Sequence, residues 1–323
     1  MSGPETPEGP DEFGQIAEFF RPLTRGDPGA FDLLDDAAVL TSQEGMDIVV
    51  TQDALVEGVH FPPGETPEDV AARFIRVNLS DLAAKGAEPF AWLQTLAWSP
   101  DWPLDRRRAF ARGLAEEAVA FGLTLLGGDT VSTPGPLVIS GTFFGRCPKG
   151  GMTPRSGARP GDLLLVSGPV GDGWLGLQAV TGSLDDPSGR LARKFRRPEP
   201  RLDLRSSLRA CARAAADVSD GLIADARHIA VASRCGVRLA LEEVPLSRMA
   251  ADWLAQRPDE AVARCALASG GDDYEIVLAA APVHRARLEA AGCTVIGAFV
   301  DGPSQVLLYG AELAAGPGGW RHA

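Results

Sequence analysis

Asp81 lies in the stretch Asn78-Leu79-Ser80-Asp81-Leu82-Ala83-Ala84-Lys85-Gly86-Ala87, with Leu79, Leu82, Ala83 and Ala84 around it. An ionised carboxylate among apolar residues is costly unless something positive meets it. The nearest cationic side chain is Lys85, one helical turn on. The same pattern recurs at Asp36 in DDAAVL, Asp53 in VVTQDALV, Asp129 in TLLGGDT, and Asp217 and Asp220 in ADVSDGL. Each of these residues ends an apolar run or sits in a turn of small residues. Brought together, such carboxylates make an oxygen site for a hard cation such as Mg²⁺. The chain reads as a magnesium-dependent enzyme that handles a nucleotide.

The remaining composition is consistent with that reading. A chain of 323 residues favours two domains over one. At 45% hydrophobic and 23% charged residues it is ordinary for a globular protein with a substantial core. A net charge of −12 argues against nucleic acid or an anionic membrane as a partner. An acidic protein that binds an anionic nucleotide must reverse the sign locally, and metal ions on its own carboxylates do so. The five cysteines form no CxxC pair, and their odd number fits a cytoplasmic, reducing setting. No apolar run is long enough to span a bilayer, and the first residues do not read as a signal peptide. Residues 1–10 are expected to form a disordered tail.

Apolar spacing predicts a helix over 11–23, strands over 37–40 and 47–51, and a helix from Thr66-Pro67-Glu68-Asp69 to about Gly86. Asp53 then falls just past a strand end. A strand is expected over 90–98, a helix over 104–121, a short strand over 123–126, a sharp Gly127-Gly128-Asp129 turn, and a strand over 136–145. The Gly/Pro-rich, basic segment 147–161 places a boundary between an N-terminal α/β domain at 11–148 and a C-terminal one at 149–323. Strands follow at 162–167, 237–241, 274–280, 295–299 and 305–309. Helices are expected at 171–181, 201–214, 222–233, 260–267 and 283–290. The fold class is α+β, or mixed α/β, in two domains.

The motif inventory narrows the chemistry. There is no GxxxxGK[ST], no GxGxxG after a strand and no protein-kinase motif set. HExxH is absent, and four His without GxSxG argue against a hydrolase triad. No covalent nucleophile is expected. Ser219 and Gly221 at a helix start suit a phosphate, and Gly127 and Gly128 let backbone approach a ligand. An Asp beside a Gly is, taken singly, more often a turn residue or a cap. Six such residues together favour the metal.

The series DDAAVL (35–40), TQDALVEGVHF (51–61), NLSDLAAKGA (78–87), LLGGDT (125–130), RSGARPGD (155–162), DVSDGL (217–222) and SGGDDYE (269–275) resembles the thiamine-monophosphate kinase family. That family lies within the aminoimidazole ribonucleotide synthetase-like superfamily. The resemblance implies an enzyme that transfers the γ-phosphate of ATP to thiamine monophosphate. It implies a homodimer formed by pairing N-terminal sheets, with several Mg²⁺ ions. By motif, Asp36, Thr51, Gln52, Asp53, Asp81, Asp129, Asp217 and Asp220 resemble the metal set. Gly128, Asp129, Arg155 and Ser219 resemble the ATP contacts. His60, Asp272 and Trp320 resemble the substrate contacts. Three residues depart from the family pattern: Leu34 stands for a usual Gly, Gln52 for Thr or Ser, and Asp272 for Glu. The basic run Arg193, Lys194, Arg196 and Arg197 reads as a solvated face. The competing readings are a sister ATP-dependent synthetase and a non-catalytic nucleotide-binding partner. No Cys precedes Cys147, and the chain ends Trp-Arg-His-Ala, so the reactive-Cys signatures of two sister enzymes are missing.

Overall fold

The computed structural model describes residues 10–35 and 37–309. Asp36 and Trp320 lie outside them, as does nearly all of the expected N-terminal tail. The chain divides into two compact units, one of Met1–Glu44, Val50–Ile75 and Pro89–Phe144, the other of Gly45–Val49, Arg76–Glu88 and Gly145–Ala323. Strands and helices mix in both, which gives the mixed α/β class expected from the sequence.

The helices are α1 (Glu12–Gln15), α2 (Pro67–Ala84), α3 (Leu104–Phe121), α4 (Asp172–Val180), α5 (Arg190–Arg196), α6 (Arg205–Cys211), α7 (Leu222–Ser233), α8 (Arg248–Leu254), α9 (Glu260–Ser269) and α10 (Arg285–Ala290). One sheet holds β1 (Met46–Val56), β2 (Glu88–Trp98), β3 (Thr124–Ser132) and β4 (Val138–Pro148), in the order β1-β4-β2-β3. The first unit's core sits between this sheet and its helices. Phe143 stacks on Trp92 and meets Phe74 edge-on, and Trp98 and Trp102 both meet Phe110 edge-on. Helix α2 starts as the sequence predicts: Thr66 Oγ accepts the Asp69 amide at 3.2 Å and Pro67 occupies the first turn.

The second unit carries a six-stranded sheet. Its strands are β5 (Leu163–Val166), β6 (Ala212–Asp217), β7 (Gly236–Ala240), β8 (Ile276–Ala280), β9 (Thr294–Val300) and β10 (Val306–Tyr309). They run in the order β10-β7-β9-β5-β8-β6. Only the β10–β7 pair is parallel. The sheet is covered on both faces. Leu164, Val166, Ala214 and Ala216 pack with Leu222, Ile229 and Ala230 of α7. Leu165, Ala215, Ile276 and Leu278 point the other way, onto Leu208, Leu288 and the α2 residues Ala83 and Ala84. This period-two division is why β5 and β8 read as unbroken apolar runs.

Several sequence expectations are corrected. Residues 37–40 form no strand, and the expected helix over 11–23 is split into α1, a π-turn over Ile16–Phe20 and a 3₁₀ turn over Arg21–Thr24. Strand β1 runs on to Val56, so Asp53 lies inside it. The Gly127-Gly128-Asp129 stretch is part of β3. Its glycine serves close strand approach rather than a turn: a Cβ on Gly128 would fall 2.0 Å from the Gln94 carbonyl oxygen. The expected helix over 201–214 becomes a 3₁₀ turn at Leu202–Leu204, α6 and then β6. The alanines of β6 favour a helix by propensity, but burial between two layers overrides that preference. Helix α5, unread in the sequence, contains most of the basic run, and buries Leu191 and Phe195 beneath it.

Candidate active site

Each unit presents its own acidic residues. In the first unit, Gln52, Gly128 and Asp129 line a cavity of about 510 Å³ together with Asp35, Gln94 and Ser140. Its apolar side includes Ile16, Phe20, Leu40 and Phe144. Gln52 donates to Ser140 Oγ at 3.3 Å, so the residue that departs from the family pattern is oriented by β4. Asp129 is exposed and accepts the Thr130 amide at 2.8 Å. Thr51 and Asp53 stand on β1, Thr51 half-buried and Asp53 exposed. Just before Leu34, the backbone of Phe31, Asp32 and Leu33 is left-handed, with φ of 47°, 55° and 57°. Bulky residues rarely adopt that region, so this approach to Asp35 is strained.

His60 lies in the tight turn that follows β1. Its Nδ1 accepts the Val56 amide at 3.0 Å, and its own amide donates to the Val56 carbonyl at 2.9 Å. A neutral imidazole in this position therefore carries its proton on Nε2 and presents a donor there. Arg73 braces the turn by donating to the His60 carbonyl at 3.2 Å.

The second unit carries Asp81, Asp217 and Asp220. Ser80, buried on α2, donates to Asp217 Oδ2 at 2.9 Å. The helix that carries Asp81 is thereby tied to the end of β6. Lys85, one turn beyond Asp81, donates to the Ala215 carbonyl at 2.7 Å. Burial lowers the Lys85 pKa, as does nearby Arg155, while Asp217 and Asp81 act to raise it. Asp220 is half-buried ahead of α7, and its amide donates to Asp225 Oδ2 at 3.2 Å. Asp225 is buried, lies 3.4 Å from His228 Nδ1, and has its pKa raised chiefly by burial. One ligand atom from each of Asp220, Asp225 and His228 lies within 4.8 Å of the others. Sequence reading missed Ser80, Asp225 and His228. The signal for Asp225 was an acid within the apolar first turn of a helix, LIADARHI.

The segment over 269–275 is lashed to the Asp217–Asp220 turn. The Asp272 amide donates to the Ser219 carbonyl at 2.9 Å, and the Tyr274 amide to the Val218 carbonyl at 2.9 Å. Both residues are left-handed, with φ of 62° and 53°. Their strain is held by the surroundings. The Tyr274 hydroxyl donates to Asp272 Oδ1 at 3.1 Å. Asp273, fully buried, accepts the Gly171 and Gly173 amides at 2.9 Å at the start of α4. Glu275 meets Arg201 at 2.7 Å and Lys194 at 3.3 Å, and accepts the Ser167 hydroxyl at 2.6 Å. Lys194 of the basic run is thus paired with a buried acid rather than simply solvated. Arg155 is exposed on its loop.

Asp81, Asp217 and Asp220 offer only carboxylate oxygens, the donor type that suits Mg²⁺. A mixed α/β fold with carboxylates on a helix, a strand end and a helix start is that of an AIR synthase-related protein. The family models agree: "AIR synthase related protein, N-terminal domain" matches residues 34–147, and "AIR synthase related protein, C-terminal domain" matches 159–310. A thiamine-monophosphate kinase of Caulobacter vibrioides is 52% identical over 97% of this chain and 91% of its own length. The crystal structure of thiamine-monophosphate kinase from Stenotrophomonas maltophilia K279a is 36% identical at a TM-score of 0.77, over 86% of this chain and 90% of that one. The structure of AaThiL complexed with AMPPCP and TMP is 27% identical at a TM-score of 0.79, over 88% of this chain and 89% of that one. The chain belongs to the thiamine-monophosphate kinase family.

Proposed function

We propose that this protein transfers the γ-phosphoryl group of ATP directly to the phosphate of thiamine monophosphate, giving thiamine diphosphate and ADP. The observation that carries this reading is the 52% identity along 97% of the chain to a kinase of that name. Phosphoryl transfer asks for positioning and charge neutralisation rather than covalent help. The acceptor phosphate is already anionic at neutral pH, so no strong general base is required. Magnesium, when bound, supplies positive charge to the phosphate oxygens in flight and brings two anions together.

The chain's own residues divide the remaining work. Asp81, Asp217 and Asp220 on the second unit, and Thr51, Gln52, Asp53 and Asp129 on the first, are the proposed metal-holding groups. Asp36 completes that set from outside the described residues. Gly128 lines the first unit's cavity and is proposed to contact ATP there, while Ser219 and the exposed Arg155 offer hydrogen bonds to phosphate, the latter charge-assisted. His60 is proposed to contact thiamine monophosphate. Asp272, held by Tyr274, places a carboxylate for the cationic thiamine moiety. Trp320, also outside the described residues, is proposed to close over it.

The working form is proposed to be a homodimer paired through the N-terminal sheets, which sedimentation velocity would test. A cytoplasmic setting is supported by five cysteines that are all free thiols. Among the described residues no helix is long and apolar enough to cross a membrane.

The test is a steady-state assay with ATP, Mg²⁺ and thiamine monophosphate, following thiamine diphosphate. Formation of that product, abolished by EDTA and absent when unphosphorylated thiamine is the acceptor, supports the proposal. Mg²⁺-dependent ATP binding without product would sink the acceptor assignment.

A further inference from the structure

The second unit holds a cavity of about 680 Å³ between the loop that joins α4 to α5 and helix α8. None of the residues that line it belongs to the proposed metal, ATP or acceptor groups. Its apolar wall includes Leu184, Met249 and Trp253, which pack on the buried side chains of Leu175, Leu191, Ala250 and Leu267. The lining also carries three carboxylates, Asp185, Asp186 and Asp252, and among the described residues no cationic side chain. Asp186 is fixed in place: it accepts the Ser188 hydroxyl at 2.9 Å and the Ala192 amide at 3.0 Å at the start of α5. Asp185 and Asp252 are exposed. The Asp252 pair with Arg248 is 3.8 Å long between solvated side chains, so it holds that carboxylate only weakly. Trp253 is set edge-on to Trp174 with ring centroids 5.5 Å apart, and Arg257 lays its guanidinium 4.3 Å from the centre of the Trp253 ring. This indole is thus already a platform for one cation.

We propose that this cavity binds a small organic cation, one with an apolar body and no phosphate group. Charge complementarity selects the sign. Three carboxylates attract a cation and repel any phosphate ester. The aromatic and aliphatic wall selects an organic ion, because an indole face and apolar side chains favour a weakly hydrated ammonium with carbon around it. A bare metal ion fits less well. Among the described residues, Asp185, Asp186 and Asp252 do not draw together closely enough to hold one.

The test uses binding alone, so it stands or falls apart from the kinase reading. Choline is titrated into the full-length protein at constant ionic strength, beside its uncharged tert-butyl analogue of the same shape. Binding is read from the indole N–H signals in proton–nitrogen NMR spectra, with the Trp253 signal assigned from Trp253→Phe. The expected result is a saturable shift of the Trp253 signal with choline and none with the uncharged analogue. The double variant Asp185→Asn, Asp252→Asn changes two exposed side chains, and its melting temperature should match that of wild type. Its choline dissociation constant should rise several-fold. An equal response to the uncharged analogue would reduce the cavity to an apolar cleft and overturn the proposal. So would a shift that grows linearly without saturating, which means no site. A double variant that binds choline like wild type would overturn it too, since the carboxylates would then play no part.

Discussion

Ser80 and Asp217, 137 residues apart in sequence, share a 2.9 Å hydrogen bond between buried side chains. That bond couples the helix carrying Asp81 to the strand end carrying Asp217. Ser80→Ala removes the donor and leaves a buried carboxylate short of a partner. A bond to a charged group contributes about 1.5–3 kcal/mol, so a loss of about that size is expected in urea denaturation. The Mg²⁺ concentration for half-maximal activity should rise as well, because Asp217 is no longer aimed. An unchanged Mg²⁺ requirement would make the bond purely structural.

Gly128 is set by backbone space. A Cβ there meets the Gln94 carbonyl oxygen at 2.0 Å, a clash with main chain that no rotamer change relieves. Gly128→Ala should therefore force β3 away from β2, at about 1–3 kcal/mol, the usual cost of overpacking. Asp129 is the next residue and moves with it. The expected result is a lower melting temperature together with a raised KM for ATP.

Much of this was legible in the sequence, and the misses have physical causes. Lone acids in apolar sequence stand out because their desolvation would be costly; of Asp81, Asp129 and Asp217, only Asp217 is buried, and Asp129 is exposed. The α2 start at Thr66-Pro67 was readable because capping is local. Strand β6 was not: ARAAAD carries helix-favouring residues, and only the layers on either side of Ala214, Ala215 and Ala216 make it a strand. The same holds for Gly127-Gly128, where a glycine pair signals a turn or a close strand contact with equal force. Ser80 and Lys85 gave no local sign, since their partners on β6 are remote in sequence.

Asp273 imposes a pH dependence. Burial pushes its carboxyl up to about 7, against the opposing effect of the Gly173 and Gly171 amides. In the unfolded chain the same group titrates near the ordinary aspartate value of 3.8. The folded state therefore binds this proton more tightly than the unfolded state. Its contribution to stability is full below the unfolded pKa and is lost as pH rises through the folded one. Asp273→Asn should flatten the stability profile between about pH 4 and pH 7, and melt above wild type at about pH 8. Differential scanning calorimetry across pH reads this directly. A wild-type profile that the substitution leaves unchanged would contradict it.

The Arg201–Glu275 pair, at 2.7 Å with a nearly buried acid, fixes the far end of the segment that presents Asp272. Arg201→Met leaves Glu275 with Lys194 and Ser167 only. Breaking a buried pair on one side costs about 3–5 kcal/mol, and the remaining partners place this case near the lower end. The KM for thiamine monophosphate should rise more than that for ATP. Equal changes in both would show that the segment does not position the acceptor side.

Phosphoryl transfer is proposed to depend on metal held by carboxylates, Asp81 and Asp129 among them. This dependence is tested most directly by assaying Asp81→Asn and Asp129→Asn beside wild type for thiamine diphosphate formation, with circular dichroism and melting curves on the same samples. The account predicts product from wild type and rates near background for both variants, with spectra and melting temperatures that show folded protein. Folded variants that keep wild-type turnover at low Mg²⁺ would contradict it.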